Sequence, residues 1–308
     1  MDGDAHAHAG GLANLGGTCY LNAALQLLRA TGLLQLRAAA GPAALVPELR
    51  EVFAHLDAGR TVAPHGLLRS LQSLAGPGFR VQQPNDVHEI YVKLVEWATA
   101  SPTEAELRAP AALDEPARNA WSACLRGTQG DLAPDLYGLL RRDVRCGRCD
   151  AMYVNHETFS ALELDLPPGP DALAAALEDV LTRHFAERDL NDGGGTWRCD
   201  RCGVTGGPAL TRASLVHAPT VLTFAMNRYG GPGRHRGIAF PPAFELTLTG
   251  GRYRCAGAAM HSGGHCYAAT ARQGDGRWAI YDDQSVTEIA GAPCGSPDIQ
   301  LLTYARMN

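Results

Sequence analysis

Two C-x-x-C pairs, Cys146 and Cys149 in RCGRC and Cys199 and Cys202 in RCDRC, constrain the fold of this chain more than any other pattern in it. Each pair aims two sulfurs at one point, and four thiolates complete a closed, tetrahedral, structural zinc site. The long gap between Cys149 and Cys199 exceeds that of a compact zinc ribbon. One ion would therefore staple together two hairpins far apart in sequence. A redox C-x-x-C or two accidental pairs are the competing readings, and the duplicated spacing favours zinc. With no open coordination position, the metal is expected to hold shape and to take no part in catalysis.

The remaining composition narrows the setting. Nine cysteines, an odd number, in a chain whose N-terminus MDGDAHAHAG lacks the features of a secretory signal argue for reduced thiols. No run of eighteen or more apolar residues reads as a membrane span. The expectation is a soluble intracellular protein, cytoplasmic or nuclear, acting as a monomer. A net charge of −5 and a pI near 6.1 give nucleic acid no electrostatic footprint. Of the 27 basic residues only Lys93 is a lysine. Coding bias explains this, although it also leaves few attachment sites for modifiers.

Cys19 lies in GLANLGGTCYLNAALQLL, a glycine turn running into a helical pattern. A helix N-terminus carries unpaired N–H groups and about half a positive charge, which favours an ionised thiol. Thr18 is the expected cap, and Leu21, Leu25 and Leu28 recur at helical spacing on an amphipathic face. A buried structural cysteine is the other reading of the position. A second helix is expected in NDVHEIYVKLVEWA, with Asn85 as cap and Asp86 and Glu89 in its first turn. DALAAALEDVLTRHF reads as a further helix.

From Leu215 strands dominate, in VLTFAM, CYAATAR, RWAIYDD and IQLLTY. Helices first and strands later predict an α+β fold. His265 begins one strand, a turn follows at Gly274–Gly276, and the returning strand ends at Asp282 and Asp283. Such a hairpin would set an acid beside the histidine, as nucleophilic catalysis by a thiol requires.

These motifs, in this order, resemble the ubiquitin-specific proteases, papain-like cysteine deubiquitinases. GLANLGGTCYLNAALQLL is similar to that family's cysteine box and GGHCYAATARQGDGRWAIYDD to its histidine box. LELDLP, APTVLTFAMNRY, IAFPPAFEL and the two C-x-x-C pairs lie between them, and the likeness spans about residues 11–304. It implies Cys19 as nucleophile, His265 as general base and acid, Asp282 as the residue orienting His265, and Asn14 as an oxyanion donor. Asp283 is a second polar contributor.

The implied architecture is a tail over 1–10 and a catalytic domain over 11–308. That domain comprises a helical thumb (about 11–136), zinc-bearing fingers (about 137–215) and a β-rich palm (about 216–308). Ubiquitin is the implied partner, cleaved after its terminal Gly-Gly, with Asp86 and Glu89 facing the arginines of its tail. A protease of another ubiquitin-like modifier and a silent ubiquitin-binding module are the alternatives. Pro84 and Asn85 interrupt the family's glutamine box, and Cys266 stands where an aromatic commonly follows the histidine. RYGGPGRHRG is shorter than the family's mobile loop.

Overall fold

Helices precede strands, as the patterning predicts. The computed structural model describes residues 9–36, 45–76, 80–100, 109–125, 131–170, 173–191, 196–229, 235–246, 251–272 and 276–307. Among the described residues the helices are Cys19–Ala30 (α1), Leu33–Leu36 (α2), Leu45–Asp57 (α3), His65–Ala75 (α4), Val87–Thr99 (α5), Glu115–Cys124 (α6), Ala133–Leu136 (α7) and Leu177–His184 (α8). None is long and apolar enough to cross a membrane.

The strands are Gly138–Cys146 (β1), Met152–Phe159 (β2), Leu162–Asp165 (β3), Ala175–Ala176 (β4), Arg188–Asp189 (β5), Ala209–His217 (β6), Val221–Asn227 (β7), Ile238–Ala239 (β8), Ala243–Leu246 (β9), Gly251–Ser262 (β10), His265–Ala271 (β11), Trp278–Asp282 (β12), Ser285–Ile289 (β13) and Ile299–Arg306 (β14). The large sheet runs β13-β12-β11-β10-β14-β7-β3, with β9 also on β10, and a smaller sheet runs β2-β1-β6-β5. Only β3 joins the large sheet in parallel, alongside β7.

The helix α1 buries the face its leucines mark and most of the rest of its surface as well. Every residue except Arg29 is buried, because α1 lies between α5 and the sheet strands β10 and β11. A helix apolar all round belongs in a core. Burial of Leu21, Leu25 and Leu28 contributes about 1.5–3 kcal/mol each. Its two buried amides find partners: Asn22 donates to the carbonyls of Leu12 and Ala13, and Gln26 to that of Gly10. The α5 helix is tied to the sheet by the Tyr91 hydroxyl, 2.7 Å from Thr223 Oγ1, which in turn meets Thr303 Oγ1 at 3.0 Å. Burial pushes the Tyr91 hydroxyl up to about 12.

Three local expectations are corrected. Thr18 occupies the N-cap position of α1, but its hydroxyl turns backwards, accepting from Leu15 N, and caps nothing. Asp86, not Asn85, caps α5, accepting from the N–H groups of His88 and Glu89. Among the described residues of the DALAAALEDVLTRHF segment, Leu177–His184 alone is helical, and Ala175–Ala176 instead pairs in parallel with Ile238–Ala239. Of the tail expected over 1–10, residues 1–8 lie outside the described residues, and Gly10 N donates to Leu56 O at 2.7 Å. Residues 230–234 of the RYGGPGRHRG loop and 273–275 of the turn between β11 and β12 also lie outside the described residues.

Candidate functional site

Cys19 is the first residue of α1, with Gly16 and Gly17 at positive φ forming the turn that precedes it. A left-handed backbone costs glycine nothing. Gln82 secures this turn from outside, donating to Leu15 O at 2.8 Å. Because α1 packs on β11, the Cys19 thiol arrives at the strand that begins with His265. Cys266, the next residue in the chain, is buried in the same apolar cluster as Cys19.

The β11–β12 pairing registers Ala268 with Tyr281, which brings the end of β12 beside the start of β11. His265 Nε2 lies 2.5 Å from Asp282 Oδ1. With the carboxylate accepting, Nε2 carries the proton and Nδ1 keeps a lone pair. Nδ1 makes no hydrogen bond among the described residues and is the nitrogen left to serve the thiol.

Asp283 closes the arrangement from the other side. Its φ of +52° is one of two positive values among non-glycine residues described, a conformation Asp tolerates better than most. Its carbonyl accepts from Leu12 N. Its carboxylate accepts from Asn14 Nδ2 at 2.9 Å and from Asn22 Nδ2 at 2.7 Å, and lies 3.9 Å from His265 Nε2. Asn14 Oδ1 in turn accepts from the N–H groups of Gly16 and Thr18. The amide is thus fixed at both ends, with one N–H unpartnered among the described residues. Gly11 lets the two segments meet, since a Cβ there would fall 2.5 Å from Gln284 backbone atoms.

A groove of about 470 Å³ opens beside this cluster, lined by Pro84, Asn85, Asp86, Val87, Gly264 and Cys266 among others. Asp86 spends Oδ1 on capping α5, and its other oxygen faces no partner among the described residues. Glu89, one turn on, is half exposed and sits 3.9 Å from Lys93 Nζ. The structure therefore joins His265, Asp282, Asp283, Asn14 and Asn22 in one polar cluster, places Cys19 on the helix packed against β11, and sets Asp86 on the wall of the groove. Sequence reasoning missed Asn22, which positions Asp283; the available signal was a polar residue three positions after Cys19 in an otherwise apolar helix.

The four cysteines of the two C-x-x-C pairs gather at the far end of the small sheet. The sulfurs of Cys146, Cys149, Cys199 and Cys202 all lie within 4.8 Å of one another, with Cys146–Cys202 at 3.9 Å and Cys149–Cys199 at 3.7 Å. Tetrahedral zinc at about 2.3 Å from each sulfur sets neighbouring sulfurs about 3.8 Å apart, so the cage fits that ion. Burial raises the Cys199 thiol, but the Tyr153 hydroxyl and the N–H groups of Cys202 and Arg201 outweigh it and bring it down to about 6. A contact with the Ala151 backbone lowers Cys149, yet burial and the other three sulfurs push it up to about 12. Four sulfurs this close ionise together only around a cation. Among the described residues Cys146, Ala151 and Cys199 are buried here, with Tyr153, Trp197 and Val204 packed partly buried against them.

A cysteine at the N-terminus of a helix packed on a strand that begins with a histidine paired to a carboxylate suits a thiol hydrolase. The family model of ubiquitin carboxyl-terminal hydrolases matches residues 10–304, and the chain belongs to that family. It is 27% identical over 322 residues to ubiquitin carboxyl-terminal hydrolase 23 of Arabidopsis thaliana, covering 96% of this chain and 35% of that protein. It is 25% identical over 329 residues to probable ubiquitin carboxyl-terminal hydrolase 16 of Schizosaccharomyces pombe, covering 97% of this chain and 67% of that protein. The chain thus spans about a third of the first relative and two thirds of the second. Its fold is shared with the SAGA DUB module Ubp8/Sgf11/Sus1/Sgf73 bound to ubiquitin aldehyde, at a TM-score of 0.67 and 17% identity over 97% of this chain and 70% of that one.

Proposed function

We propose that this chain is a thiol deubiquitinase that hydrolyses the isopeptide bond following the C-terminal Gly-Gly of ubiquitin. The observation that carries the reading is the His265–Asp282 pair set on the strand against which the Cys19 end of α1 packs. The Cys19 sulfur attacks the scissile carbonyl while His265 Nδ1 takes its proton and passes it to the departing lysine amine. The free N–H of Asn14, with the Cys19 backbone N–H, stabilises the oxyanion. The thioester then falls to a water that His265 deprotonates. Asp282 keeps the ring in the tautomer this requires.

The ubiquitin tail would enter along the groove, where its paired glycines match a narrow passage and its arginines meet Asp86 and Glu89. Zinc would be held by Cys146, Cys149, Cys199 and Cys202 as a structural staple. Thumb (about 11–136), fingers (about 137–215) and palm (about 216–308) would share the globular body of ubiquitin between them. Nine free thiols suit the reducing interior of a cell. Release of fluorophore from a ubiquitin C-terminal amide by the zinc-loaded chain tests the reading. Turnover abolished by Cys19→Ser supports it; no turnover, or turnover restricted to another modifier's C-terminal amide, overturns it.

A further inference from the structure

One hydroxyl touches the cage of cysteines without belonging to it. Tyr153 stands on β2, opposite Val144 of β1, in the hairpin whose β1 strand ends at Cys146. Its hydroxyl nonetheless reaches the other C-x-x-C pair. Oη lies 3.3 Å from Cys199 Sγ, a contact 46 residues distant in sequence, and accepts from Arg201 N at 3.0 Å. The ring is edge-on to Trp197, with centroids 5.5 Å apart and planes at 75°, and packs partly buried against Cys146, Ala151 and Cys199. A ring held on this many sides has little rotamer freedom left to lose when an ion binds.

The direction of the hydrogen bond follows from the chemistry of the two groups. A zinc-bound cysteine is a thiolate and has no proton to give. The tyrosine carries one O–H, and its oxygen already accepts from Arg201 N. Its proton therefore points at the sulfur. We propose that Tyr153 is a positioning residue of the zinc site, orienting Cys199 from outside the ligand set and setting how tightly the ion is held. This role rests on the zinc staple proposed above and on no catalytic step. Outer partners that fix a ligand's direction contribute about 10–100-fold in metal affinity. Tyr153 also ties the second pair to the first hairpin, so part of the ordering needed to assemble four ligands is complete before the ion arrives. An O–H donated to a thiolate stabilises its charge, and so raises the energy needed to move an electron from sulfur to metal.

Tyr153→Phe keeps the ring and its edge contact with Trp197 and removes only the O–H. The full chain and this variant, each loaded with stoichiometric zinc, are titrated with a chromophoric chelator of known affinity. The same proteins are then loaded with cobalt(II) to record the sulfur-to-metal charge-transfer band. The Kd for zinc should rise about 10–100-fold in Tyr153→Phe. The cobalt band should move to longer wavelength at unchanged intensity, because all four thiolates remain and one has lost its donor. Trp197→Phe, which disturbs the packing and leaves the hydroxyl in place, should not move the band. Zinc affinity within about twofold of wild type in Tyr153→Phe, a cobalt band unmoved by that change, or a band moved equally in Trp197→Phe would overturn the proposal. A wild-type chain that takes up no zinc contradicts the staple and this role together. A chain that binds zinc through its four cysteines with an affinity indifferent to the hydroxyl contradicts this role alone.

Discussion

Asp283→Asn isolates the contact on which the oxyanion donor depends. Asparagine tolerates the φ of +52° at this position, so the backbone turn and its contact with Leu12 N survive. What changes is one acceptor. The carboxylate serves Asn22 at 2.7 Å in a part-buried setting and Asn14 at 2.9 Å in an exposed one. An amide keeps its oxygen for the more buried partner, and its NH2 group then faces the NH2 group of Asn14. A hydrogen bond to a charged group contributes about 1.5–3 kcal/mol, so loss of this exposed one slows hydrolysis about 10-fold, and 100-fold at most.

Asn14→Ala, which deletes the donor itself, should cost about 10²–10³ in kcat. The decisive assay is the double mutant under saturating fluorogenic ubiquitin substrate. If Asp283 acts by holding Asn14, Asn14→Ala/Asp283→Asn is no slower than Asn14→Ala alone. Wild-type kcat in Asp283→Asn, or losses that multiply in the double mutant, would refute the reasoning and assign Asp283 to His265, 3.9 Å away.

Removal of metal by a chelator should expose the small-sheet tip, seen as fast hydrogen exchange over residues near Cys146 and Cys199, while exchange around α1 stays slow; uniform protection after chelation would contradict a stapling role. Charge reversal by Glu89→Lys should raise KM for ubiquitin substrates about 10-fold with little change in kcat, measured by initial rates, since an exposed acid contributes binding and no chemistry. Burial, above all, lowers the pKa of His217 below the ordinary imidazole value of 6.5; its ring packs perpendicular to Trp121 and its Nε2 bonds Pro134 O. A depressed pKa means the unfolded chain takes up the proton first. Denaturant stability should therefore be flat above 6.5 and fall as pH drops below it, and a His217→Gln variant that keeps the full acid slope would disprove the assignment.

Much of the site was legible because it is written in local patterns. The glycine turn before Cys19 and the strands around His265 each carry their signal within a dozen residues, and the C-x-x-C pairs specify their own geometry. The caps were misread because several acceptors compete in one turn. Thr18 prefers Leu15 N over the helix, and Asp86 displaces Asn85 as cap because its carboxylate reaches two N–H groups of α5. The burial of α1 on all sides was hidden, since its leucines alone mark one stripe and only the sheet packed against the other side explains the rest. Asn22 owes its role to a partner 261 residues away, and no window along the chain contains both ends.

The most direct measurement is covalent capture by ubiquitin bearing a C-terminal electrophile, followed by peptide mapping of the adduct. The account predicts a single modification at the Cys19 sulfur, absent in Cys19→Ala and slowed about 10²-fold or more in His265→Gln. Labelling at another cysteine, or labelling of Cys19 at an undiminished rate without His265, would contradict it.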